Sequence, residues 1–119
     1  RYADYSTMDA LSLIADNCWC GGVVLGPAVI DWQTLALDQL IGTLEINGKK
    51  VGEGVTQDAL GHPLEGLAWI ANTLAKQGKS LTGGMVVITG SIIATEFISS
   101  GDSAVFSVDG LGHTALNLF

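Results

Sequence analysis

The residues of this chain whose types could do chemistry fall in a few places. The most suggestive is Thr89-Gly90-Ser91, where the apolar run Met85-Val86-Val87-Ile88 ends in two hydroxyls around a glycine. Backbone N–H groups and hydroxyls at such a point can hold a carboxylate, with an ordinary turn as the competing reading. Gly61-His62-Pro63 stands just ahead of a strongly helical stretch, so His62 either caps that helix or points into a cleft as an acid–base group. Cys18 and Cys20 would need His62 and His113 to complete a zinc site, but a C-x-C pair with two isolated histidines matches no usual zinc spacing. Small buried thiols beside Gly21-Gly22 are the simpler reading. Gly78-Lys79-Ser80 has the tail of a phosphate-binding loop, but Thr73 stands where the leading glycine belongs and no strand precedes it. It reads instead as a helix end with a lysine near the negative pole. Ser91, His62 and Asp102 make a triad on paper, yet Thr89-Gly90-Ser91-Ile92-Ile93 is not the Gly-x-Ser-x-Gly elbow such a nucleophile needs.

The elements that must position these residues follow from hydrophobic spacing. Ser6 or Thr7 can cap a first helix with Asp9 in its first turn, and Met8, Leu11, Ile14 and Ala15 carry it to about Asp16 or Asn17. A short buried strand is expected at Val23–Leu25, bracketed by glycines, with Pro27 and Asp31 in a loop. From Leu37 the period becomes two: Leu40, Gly42, Leu44 and Ile46 face one way, and Ile41, Thr43 and Glu45 the other. Asn47-Gly48 is a hairpin signal, so a return strand runs from Lys49 to about Val55 and one side of the hairpin is wet. Pro63 opens the clearest helix, Leu64, Leu67, Ala68, Ala71, Leu74 and Ala75 form its stripe, and Gly78 ends it. Strands follow at Met85–Thr89, Ser103–Val108 and His113–Phe119, with turns at Gly101-Asp102 and Gly110 to Gly112. About six strands and two helices, without regular helical crossovers, predict a single α+β domain over residues 1–119 with a curved, mostly antiparallel sheet.

Composition narrows the partners. The chain has 119 residues, 48% hydrophobic and 14% charged, with a mean hydropathy of +0.42, which is enough apolar material to fold. Five Lys and Arg against twelve Asp and Glu leave a net charge of −7. That excludes the basic stripe a nucleic acid requires, and argues equally against anionic membrane surfaces. The apolar runs are far shorter than the ~18 residues of a membrane span, and the polar N-terminus is not a signal peptide. Two cysteines too close to bridge fit a reducing cytoplasmic setting. The chain opens on Arg1 and closes on the apolar Leu116-Asn117-Leu118-Phe119, and so reads as a piece of something longer or a domain cut from its partner.

Taken in order, several segments resemble one family. They are Ile14-Ala15-Asp16-Asn17 running into Gly21-Gly22-Val23-Val24-Leu25-Gly26; Leu60-Gly61-His62-Pro63-Leu64 with Leu67-Ala68-Trp69-Ile70-Ala71-Asn72; Met85 to Ser91; Ser100-Gly101-Asp102; and Gly110-Leu111-Gly112. The set is similar to the 2-hydroxypenta-2,4-dienoate (2-keto-4-pentenoate) hydratases and 4-oxalocrotonate decarboxylases of the fumarylacetoacetate hydrolase superfamily, and covers the chain as their C-terminal half. The resemblance implies a curved mixed β-roll with two main helices around a cleft. It implies a Mg²⁺ or Mn²⁺ ion on three carboxylates, which chelates a small 2-oxo or 2-hydroxy carboxylic acid and stabilises its enolate. It implies metal-assisted addition of water to a 2-hydroxydienoate in aromatic-compound breakdown, or decarboxylation by the same enolate stabilisation.

Two departures qualify the resemblance. The family's metal carboxylates lie N-terminal to the matched segment, so this chain is expected to bind no metal by itself and to be inactive alone. Asp16, the nearest acid, matches the Ala-Asp-Asn motif rather than the metal motif. In Asn17-Cys18-Trp19-Cys20, Trp19 falls where the family has a serine. The resemblance assigns Ser91 to the substrate carboxylate, has Thr89 and Gly90 shape the loop, has Trp19 and Cys20 line the pocket, and offers His62 as a further site residue. Hydratase is preferred to decarboxylase on Ser91, where the decarboxylases carry a second glycine. The alternatives are a carboxylate-binding domain that has lost its metal and an oligomer-forming domain. Sheet surface that a half-fold cannot bury predicts a homo-oligomer.

Overall fold

Asn47 and Gly48 sit at φ +52° and +74°, the pair of positive angles that a tight two-residue hairpin demands. They join β1 (Ile41–Ile46) to β2 (Lys49–Val55) as the alternation predicts, with a register shift between Leu44 and Glu45. The computed structural model describes residues 8–119. In it β3 (Ser103–Val108) adds to the other side of β1 and β4 (Gly112–Asn117) to β3, giving one antiparallel sheet in the order β2-β1-β3-β4. The last strand starts one residue earlier than expected and stops at Asn117, short of Phe119.

The turn residue Asn47 also ties the hairpin to β3. Its amide Nδ2–H donates to Asp102 Oδ1 at 2.8 Å, and its Oδ1 accepts the Ser103 N–H at 3.0 Å. Its backbone N–H donates to the Ser103 carbonyl at 2.8 Å. Asp102 in turn accepts the Ser99 N–H at 2.7 Å, closing the loop before β3.

Helix α1 runs from Ala10 to Ala15. Its N-cap is Asp9, which accepts the Ser12 N–H at 2.9 Å and the Ser12 hydroxyl at 3.0 Å. Asp9 therefore takes the position expected of Ser6 or Thr7, which lie outside the described residues. The Ser12 backbone and hydroxyl bonds hold the Asp9 carboxyl below its ordinary range. Helix α2 runs from Pro63 to Lys76, and Gly78 follows at φ +69°. Leu64, Leu67, Ala71 and Leu74 of its stripe are half-buried, while Ala68 and Ala75 are exposed and Ile70 takes their place on the inner side.

Two expected strands are not strands here. Val23–Leu25 and Met85–Thr89 form no ladder with any neighbour among the described residues. Neither end of the 23–25 run is buried, and Ile88 is 65% exposed. Their residues suit a pleated surface, but a ladder needs a second strand to receive its N–H and C=O groups. The core is correspondingly thin: Gly42, Thr56 and Ala59 are the buried residues among those described. Thr56 Oγ1 accepts the Leu40 N–H at 3.0 Å and donates to the Leu40 carbonyl at 3.2 Å, fixing the entry to β1. The chain exposes 8702 Å², against roughly 6,100 Å² for a compact monomer of its mass. No helix among the described residues is long and apolar enough to cross a membrane.

Candidate functional site

The site is built on one face of the sheet. Register places Gly52, Leu44, Phe106 and Thr114 in one cross-strand row, and Gly54, Gly42, Val108 and Gly112 in the next. Missing side chains on β1 and β2 leave a shallow seat, and the segment Ile92-Ile93 lies in it. A Cβ on Gly42 would stand 2.5 Å from Ile92 Cδ1 and 3.1 Å from Phe106 Cζ. On Gly52 it would collide with Ile93 Cγ2, and on Gly54 with the Ile92 carbonyl oxygen. These glycines serve close approach, a use that period-two reading of the hairpin does not reveal.

The seated segment fixes the loop before it. Gly90 adopts φ +124°, a backbone region closed to residues with a side chain. A Cβ on Gly66 of α2 would lie 3.2 Å from the Thr89 carbonyl oxygen, so the helix backs directly onto the loop. Ser91 Oγ donates to the Ile93 carbonyl at 2.6 Å and accepts the Ile93 N–H at 3.4 Å, a local turn that holds the hydroxyl in place.

Thr89, Gly90 and Ser91 stand together on the wall of a cavity of about 880 Å³, with Leu44, Phe106 and Val108 of the sheet among its apolar lining. Trp19 and Cys20 are not among the lining residues; Cys18 is. The backbone explains the exchange. Asn17, Cys18 and Trp19 stand at φ +52°, +51° and +59°, three successive left-handed residues that rotate the turn after α1. Trp19 is half-buried, and the Cys20 thiol turns to the Gly22 carbonyl, 3.8 Å away. No sequence signal marks a cysteine and a tryptophan for the left-handed region.

His62 is the N-cap of α2: its Nδ1 accepts the Leu64 N–H at 3.1 Å, which leaves the ring proton on Nε2. It is absent from the cavity lining, although its neighbour Pro63 is present. With His62 capping a helix, Asp102 bonded to Asn47 and Ser99, and Ser91 bonded to Ile93, each member of the paper triad has a structural partner. The Asn47 amide, and after it the Ser99 N–H, hold the Asp102 carboxyl below its ordinary range.

Comparison with known proteins decides the family. The family model described as fumarylacetoacetate (FAA) hydrolase, C-terminal, matches residues 1–118. The chain belongs to the fumarylacetoacetate hydrolase family. It is 32% identical over 112 residues to a 4-oxalocrotonate decarboxylase of Pseudomonas putida, covering 94% of this chain and 42% of that protein. It is 33% identical over 99 residues to a 2-hydroxyhexa-2,4-dienoate hydratase of Comamonas testosteroni, covering 83% of this chain and 38% of the hydratase. The structure of the 4-oxalocrotonate decarboxylase from Pseudomonas putida G7, complexed with magnesium and adipate, superposes with a TM-score of 0.88 at 29% identity, over 98% of this chain and 44% of that one. The same decarboxylase also appears complexed with calcium and acetate. This chain thus spans about two fifths of the relatives it matches.

The metals of those relatives meet no matching ligand set here. No group of three or more His, Cys, Asp or Glu side chains that could hold a metal ion gathers among the described residues. Asp16 is an exposed C-cap of α1 and does not line the cavity. The described residues therefore do not by themselves fit a divalent ion.

Proposed function

We propose that this chain forms one wall of the substrate cleft in a hydratase-like enzyme acting on small 2-oxo or 2-hydroxy carboxylic acids in aromatic-compound breakdown. The observation that carries the reading is the Thr89-Gly90-Ser91 loop on the wall of a largely apolar cavity of about 880 Å³. An apolar trough with a few hydroxyls and amides at one place suits an acid with a hydrocarbon tail. Similarity to a decarboxylase complexed with adipate favours a decarboxylase-type lyase as the second reading. In either case the described residues bind and orient the acid, and a divalent ion would have to be held by residues beyond them. The antiparallel sheet would then be one part of the mixed β-roll that the resemblance implies.

Binding is the direct readout for this chain. Ser91 must rotate to meet a carboxylate, giving up its bond to Ile93, worth about 1 kcal/mol, for a charge-assisted bond of about 1.5–3 kcal/mol. The net gain of about 0.5–2 kcal/mol means that Ser91→Ala weakens binding about 2- to 30-fold. Titration of pyruvate and oxalate, with Mg²⁺ present, checks this. Equal affinity in parent and variant would remove Ser91 from the site.

The excess exposed area, with Leu11 79% and Trp69 66% exposed, supports a homo-oligomer. Sedimentation at micromolar concentration is expected to give a species above monomer mass; a stable monomer would contradict it. The exposed free thiols Cys18 and Cys20 fit a reducing cytoplasm, which labelling of those thiols in intact cells would check.

A further inference from the structure

Two cavities on the sheet share three walls. Phe106 and Val108 of β3, with Leu111 of the turn after it, line both the cavity beside Ser91 and a smaller one of about 350 Å³. Phe106 pairs with Leu44 on one side and Thr114 on the other, so both cavities lie along the same face, running from β1 to β4. The smaller one is covered by the segment after α1. There, a Cβ on Gly112 would lie 3.2 Å from Pro27 Cγ, and one on Gly26 would lie 3.3 Å from the His113 carbonyl oxygen.

The chemistry of the smaller cavity is one-sided. Pro27, Val29 and Trp32 add to the shared apolar walls, and neither lysine nor arginine lines it. His113 pairs with Ser107 in the row on the opposite face, so it meets the cavity through its backbone, and Thr114 supplies a hydroxyl. A carboxylate there would meet apolar walls and no cation, in a chain of net charge −7. A flat ring would find an indole and several aliphatic walls.

We propose that the smaller cavity receives the far end of the oxo acid and selects an aryl group over a second carboxylate, with Trp32 as the specificity-determining residue. This rests on the reading of Thr89-Gly90-Ser91 as the loop that holds the near carboxylate. Burying on the order of 100 Å² of ring surface, less the cost of fixing the tail, corresponds to about a tenfold gain in affinity.

The test is calorimetric titration of the 119-residue chain with pyruvate, 2-oxo-4-phenylbutanoate and 2-oxoadipate, in Mg²⁺-containing buffer. The phenyl acid is expected to bind about tenfold tighter than pyruvate, and 2-oxoadipate no tighter than pyruvate. Trp32→Ala should bring the phenyl-to-pyruvate ratio close to one, while Trp32→Phe, which keeps a ring, should retain most of it. Reading a ratio within each variant keeps the result independent of any loss of folded protein. A gain for 2-oxoadipate equal to that for the phenyl acid, or a ratio that survives Trp32→Ala, overturns the proposal. If Ser91→Ala weakens pyruvate but no aryl gain exists, the far cavity fails and the carboxylate loop stands. If the aryl gain follows Trp32 but Ser91→Ala changes neither acid, the loop fails and the far cavity stands. Saturable binding of none of the three acids overturns both.

Discussion

Gly54→Ala is expected to unseat the Thr89-Gly90-Ser91 loop and to cost about 2 kcal/mol of stability. The added methyl would fall on the Ile92 carbonyl oxygen, a backbone atom that cannot rotate away as a side-chain tip can. Overpacking against such an atom costs about 3 kcal/mol, and the entropic gain of replacing a strand glycine returns at most about 1 kcal/mol. Ile92 follows Ser91 directly, so moving it also moves the hydroxyl and the turn that holds it. Urea unfolding should show a lower midpoint, and the pyruvate titration should weaken with it. Gly21→Ala is the control, since a Cβ there meets nothing within 4 Å. Matching midpoints for the two variants would show that the glycine seat does not carry the loop.

Asn47→Ala should cost about 2 kcal/mol. Alanine tolerates the φ of +52° poorly, at about 1 kcal/mol, and the Ser103 N–H loses its side-chain acceptor, at about 1 kcal/mol. Asn47→Gly restores the turn without the clamp, so it should recover about half the loss. The same substitution should change the acid response. The Asn47 amide is the first cause, and the Ser99 N–H the second, of an Asp102 carboxyl held below its ordinary 3.8. A lowered value means that the folded chain favours the charged form. Its contribution is present above the ordinary carboxylate range and disappears as pH falls through the folded value. The gap between parent and Asn47→Ala should therefore narrow as pH falls from neutral through and below the ordinary carboxylate range. A gap that stays constant across that range would mean that the bond to Asp102 contributes nothing to folding.

Local signals in the sequence located the hairpin and the second helix closely, because turn chemistry and caps act within a few residues. Asn47-Gly48 and Pro63 mark their elements unaided, and Thr89-Gly90-Ser91 stood out as hydroxyls closing an apolar run. What failed depended on distant atoms. Val23–Leu25 and Met85–Thr89 have strand composition, but strand character is completed only by a partner, and none is present among the described residues. Trp19 and Cys20 were expected to line the cleft, whereas the three left-handed residues turn Cys18 toward it instead. The smaller cavity was invisible for a similar reason. It arises where residues 26–32 cross a strand some eighty positions later, and no local pattern records that crossing.

The thin core has a thermal consequence. Heat capacity on unfolding scales with the apolar surface newly wetted, and a domain of this length would ordinarily gain about 1.4–1.8 kcal/mol/K. As a separated protomer, a chain that already shows 8702 Å² to water when folded has less left to wet. Its increment falls below that range, so enthalpy and entropy of unfolding change little with temperature. The stability curve is correspondingly flat, and cooling neither strengthens nor weakens the fold as sharply as it would a fully enclosed domain.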